Sequence, residues 1–158
     1  MKTLFEYNWQ VRDDWFSWCE TVPEEELLKS RGAGVGGILK TLFHIVAVEY
    51  SWICDMTGRP DLDDDFEAHA SLERVVSLSR TLHPVISDFV SSWTDSREHQ
   101  TVQVYNPRTG QHEIFREGEI LGHVIAHEIH HIGQLSVWAR EIGREPVTAN
   151  LIRRGLYN

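Results

Sequence analysis

Four of the chain's nine histidines fall within the nine residues from His123 to His131. The segment around them, Gly118 to Ile142, reads GEILGHVIAHEIHHIGQLSVWAREI and spaces its apolar residues as a helix does. At about 100° per residue, His127 and His131 sit about 40° apart on one face. Ile120, Val124, Leu135, Trp138 and Ile142 share that stripe. Two imidazoles thus occupy positions where an amphipathic helix places core side chains. A divalent metal ion gives such a pair a reason to be there.

A third ligand must come from another helix across the core, and His44 is the best candidate. It lies in the middle of an apolar helix, near Thr41, Val48, Ser51 and Trp52. A neutral histidine there needs a partner for its ring N–H. Three imidazoles about 2.0–2.1 Å from one ion, with water in an open position, is a catalytic arrangement rather than a structural one. Zinc is the default; nickel, iron and manganese also accept imidazole. The competing reading has the same histidines as hydrogen-bonded core residues. His123, one turn before His127, either supports a ligand or simply packs, and His130 lies at the stripe's edge. His69, His83, His99 and His112 read as solvated. The acidic run Asp61 to Asp65 lacks the spacing of a calcium loop and reads as a charged surface.

His127-Glu128-Ile129-His130-His131 also satisfies H-E-x-x-H, the metalloprotease motif in which Glu128 would be the general base. Its longer form fails, because Gln134 and Val137 stand where Gly and His belong. Only 27 residues follow His131, and no sheet edge is predicted to hold a peptide. The bland alternative for Glu128 is a surface ion pair. Glu49, about 140° round the helix from His44, is a poor ligand but could pair with a buried arginine or a Trp N–H.

Four long helices must position these groups. The first spans about Leu4 to Glu20, with Leu4, Val11, Trp15 and Trp18 as its stripe. Pro23 and three glutamates start a short connection. The glycine-rich run from Gly32 to Gly37 has neither the Lys-Ser/Thr ending of a phosphate loop nor a GxGxxG setting, and reads as a flexible entry to the next helix. The second helix, about Gly37 to Met56, is apolar almost all round and belongs in the middle of the fold. The third runs from about Ser71 to Trp93, with Ser71 able to cap it and Pro84 expected to kink it. Thr101 to Tyr105 and His112 to Phe115 alternate around Asn106-Pro107-Arg108-Thr109-Gly110, which predicts a β-hairpin. The last helix spans about Glu117 to Ile142 and stops at Gly143. A short tail to Asn158 packs on the bundle. The expectation is one all-α domain over 1–158, a four-helix bundle with a hairpin inserted before the last long helix.

The chain has 158 residues and a net charge of −9, with its 15 basic residues scattered. Nucleic acid and anionic membrane are poor partners for that charge. The first residues are charged every few positions, unlike a signal peptide, and no apolar run approaches a membrane span. Cys19 and Cys54, inside helices, read as small buried hydrophobes. A soluble cytoplasmic protein is expected.

The string His127 to Leu135 (HEIHHIGQL) and the segment Leu39 to Trp52 (LKTLFHIVAVEYSW) resemble the DinB/YfiT-like superfamily, and the likeness covers nearly the whole chain. The resemblance implies a bundle fold, a metal held by His44, His127 and His131, and a homodimer. It further implies a metal-dependent transferase or isomerase acting on a low-molecular-weight thiol such as bacillithiol or mycothiol, with an electrophile as second substrate. A thiol entering the open position of a divalent ion loses its proton, and the thiolate is the nucleophile. Gln134, one turn beyond His131, could bond to substrate or ligand, or pack as an ordinary amide. The rivals to an enzyme are a non-enzymatic metal-binding stress-response protein and a metal-free dimerisation bundle. Trp9, Trp15 and Trp18 line a dimer interface in one reading and the core in the other.

Overall fold

The computed structural model describes residues 1–157. Helices α1 (Lys2–Cys19), α2 (Glu24–Leu28), α3 (Ile38–Thr57) and α4 (Leu72–Ser91) precede strands β1 (Thr101–Asn106) and β2 (Gln111–Arg116), and α5 (Glu117–Glu141) follows. The four long helices are α1, α3, α4 and α5. Neighbouring pairs α1–α4, α4–α3, α3–α5 and α5–α1 close a ring. That is the expected four-helix bundle, with α1 and α3 on one diagonal. The hairpin pairs Thr101 with Arg116 and Asn106 with Gln111, and packs β1 on α3 and β2 on α5.

Local signals explain most boundaries. Ser71 caps α4 by accepting from the Arg74 N–H. At the end of α5, the Gly143 N–H reaches the Arg140 carbonyl and the Arg144 N–H reaches Ala139, with Gly143 left-handed at φ 73°. This pair of bonds is the Schellman closure that a glycine favours. The hairpin turn uses the Asn106 side chain to accept from the Arg108 N–H. The α4 helix continues through Pro84, which faces solvent, so water can serve the carbonyl one turn back. The short α2 was not expected from the sequence. Its three glutamates favour a helix N-terminus and Leu27 is buried, but five residues are too few to show a period.

Two apolar clusters fill the bundle. One gathers Val11, Trp15, Leu39, Leu42, Leu135 and Trp138. The other gathers Phe5, Ile53, Ile86, Leu121 and Val124. Along α3 the changeover between them falls at buried Glu49, and along α5 at buried Glu128. The tail packs on the first cluster through Val147, Leu151 and Leu156, and the Tyr7 hydroxyl donates to the Ala149 carbonyl. Its last residue, Asn158, lies outside the described residues. Both cysteines are buried and free, and burial pushes the Cys19 thiol up to about 12. Among the described residues no helix is long and apolar enough to cross a membrane.

Candidate metal centre

α3 and α5 are ring neighbours, and their facing sides bring His44 against His127 and His131. The Nε2 atoms of His44 and His127 lie 3.1 Å apart, and those of His127 and His131 also 3.1 Å. One coordinating atom from each of the three lies within 4.8 Å of the others. Two nitrogens about 2.05 Å from a shared ion are about 2.9 Å apart at a right angle and about 3.3 Å apart at the tetrahedral angle. Both 3.1 Å separations from His127 fall between those limits.

Proton counting favours a cation over mutual hydrogen bonding. The His131 Nδ1–H donates to Gln134 Oε1 at 2.8 Å, which leaves its Nε2 as a lone pair in the neutral ring. His127 Nε2 faces both other rings but carries at most one proton. It can satisfy one neighbour and leaves the other unmatched. The rings are held neutral: burial first, then the neighbouring imidazoles, pushes His127 down to about 3 and His44 to about 4. His131 is lowered too, mainly by burial. Three neutral rings converging their lone pairs fit a divalent ion. Among the described residues the cluster has three members, and no carboxylate or thiol completes it.

The glutamine is itself held. Its Nε2 meets His130 Nε2 at 3.0 Å, so His130 supports Gln134 rather than joining the cluster. On its other side lies Gly34, left-handed at φ 58°, where an added Cβ would overlap the Gln134 amide oxygen. The glycine-rich run is therefore a close-packed approach to the site rather than only a flexible entry. His123 is exposed, its ring 5.8 Å from that of His127 and 5.7 Å from Trp52. His83, His99 and His112 are exposed as expected. His69 departs from the solvated reading: it is half-buried and stacks on Phe43 at 5.3 Å.

Sequence reasoning missed Arg12. It is 3% exposed and crosses the core from α1. Its Nε and Nη2 donate to the two oxygens of Glu128 at 2.9 and 2.6 Å, and its Nη1 donates to Glu49 at 2.7 Å. Trp9 Nε1 donates to the other Glu49 oxygen at 2.8 Å. The pairing of Glu49 with a buried arginine and a Trp N–H is as expected. The bland alternative of a surface ion pair for Glu128 is wrong, because the side chain is 1% exposed and its partner is buried with it. The protease role loses its base with it: Glu128 is buried in the core and both its oxygens are committed to Arg12. Burial works to lower the Arg12 pKa, but the two carboxylates more than reverse that, and it stays charged. Burial, with Glu49 beside it, holds Glu128 above the usual carboxylate range against the pull of Arg12. A signal was available: Asn8, Arg12, Trp15 and Cys19 form a stripe of helical spacing, and a charge within it needs a buried partner.

A ring of four helices with three converging imidazoles between two neighbours defines a helical-bundle protein with a histidine cluster that could hold a cation. The family model of the DinB family matches residues 1–155, and the chain belongs to that family. It is 50% identical over 157 residues to the Bacillus subtilis (strain 168) protein named "Uncharacterized protein YizA", covering 99% of this chain and 96% of that one.

Proposed function

We propose that His44, His127 and His131 hold one divalent metal ion, zinc by default, and that the site is a metal-dependent thiol S-transferase-type centre. One observation carries the reading: three neutral nitrogens converge, His127 at ligand spacing from both others, and among the described residues no fourth protein ligand closes the set. A bound ion would supply an acidifying position for a low-molecular-weight thiol or water. The protein's own part is orientation. Gln134 fixes which nitrogen of His131 faces the centre, and the half-buried rings of His44 and His127 leave access from solvent. The electrophile must then be held nearby at bonding distance. A homodimer, as the family likeness implies, is part of the proposal and is checked by sedimentation velocity.

The test is elemental analysis of protein purified without an affinity tag, followed by turnover of an electrophile panel with several thiols, with and without chelator. Wild type should hold close to one ion per chain, His127→Ala far less, and turnover should require both ion and thiol. Full metal occupancy in His127→Ala would defeat the ligand assignment. An occupied site that turns over nothing would favour a non-enzymatic metal-binding protein.

A further inference from the structure

The face of α3 that carries His44 continues away from the centre as Val48, Ser51, Trp52 and Asp55, all within about 80° of it. That stripe floors a cavity of about 690 Å³ between α3, the acidic loop and the hairpin. A smaller cavity of about 210 Å³ shares Trp52 and Phe115 with it and reaches His123. His123 in turn stands beside His127. Neither cavity is lined by His44, His127 or His131, and Asp55 lies about 16 Å along the helix from His44.

Two independent features describe what fits. The walls are aromatic, with Trp52, Tyr105 and Phe115 among the lining residues, and Trp52 meets Phe115 edge-on at 5.9 Å. The charge is one-sided: Asp55, Asp61 and Glu113 against Arg108 alone. Asp61 is engaged by the Ser51 hydroxyl and Glu113 by the Asn106 amide. Asp55 makes no hydrogen bond or ion pair among the described residues. Burial, then Asp61, holds its carboxyl above the usual range. Rings plus uncompensated carboxylates select an organic cation.

The geometry points to this groove as a binding site for an amine-bearing aromatic molecule, its ammonium at Asp55 and its ring against Trp52 and Phe115. This goes beyond the transferase reading and does not rest on it; occupancy of the groove is independent of metal.

The probes are benzylamine and its neutral counterpart benzyl alcohol, titrated into the full-length protein while the Trp52 indole N–H is followed by NMR, assigned with Trp52→Phe. Benzylamine should shift that signal and bind about tenfold more tightly than the alcohol, the size expected for one charge-assisted contact. Asp55→Asn, on the exposed side of α3, should erase most of that preference, and added salt should weaken it. Chelator and His127→Ala should leave it intact, which separates this inference from the metal assignment. Equal binding of the two probes, no perturbation at Trp52, or an undiminished preference in Asp55→Asn overturns it.

Discussion

At the scale of single residues, the decisive bond is the one from the His131 ring to Gln134. It selects the tautomer that presents Nε2 to the centre. Gln134→Leu should weaken metal affinity about 10–100-fold while the bundle persists, as measured by competition with a chelator of known affinity. Gly34→Ala should act in the same direction, since its methyl group displaces the same amide and its φ of 58° disfavours a side chain. The imidazole pKa values give a second expectation. His44 and His127 titrate at about 4 and about 3 in the fold, below the roughly 6.5 of an unfolded histidine. Between those values the unfolded chain binds more protons, so stability of the metal-free protein should fall as pH drops from about 6.5 toward 4. Urea denaturation across that range should show the slope, and His127→Ala should flatten it.

At the scale of elements, Arg12 ties α1 to both helices that carry the cluster. Glu49 lies five residues after His44, and Glu128 follows His127 directly. The guanidinium fork bonds both carboxylates at once, which sets the registers of α3 and α5 against each other. Arg12→Leu leaves two carboxylates buried without their cation and should cost about 3–5 kcal/mol in urea denaturation. Arg12→Lys should recover little, because a single ammonium cannot reproduce the bidentate geometry. The two glutamates occupy the seam between the apolar clusters. A polar layer there specifies which turn of α5 faces which turn of α3, a demand that apolar packing alone enforces weakly.

At the scale of the whole molecule, the bundle brings the three cluster histidines together from two helices, so a metal held by them would link binding to folding. Unfolding parts His44 from the α5 pair by 83 residues of chain. A ligand that binds only the folded protein at 100 times its dissociation constant should add about 2.7 kcal/mol of stability. Zinc should therefore raise the denaturation midpoint of the wild type reversibly, chelator should lower it, and His127→Ala should respond to neither. A midpoint insensitive to metal would argue for histidines that simply pack.

The helices and hairpin were legible because their periods, caps and turn residues are local: Ser71, Asn106 and Gly143 each act within a few positions of themselves. The pair at His127 and His131 was legible for the same reason, being four residues apart on one helix. His44 could be named as the third member because a polar ring in an apolar helix needs a partner. Arg12 was hidden, since a charge on an amphipathic helix is solvated far more often than buried, and its two partners lie 37 and 116 residues away. Local chemistry determined which elements form and which faces seek the interior. Only the packing of α1, α3 and α5 decided which polar groups meet there, because desolvation acts on a group through everything the fold places around it.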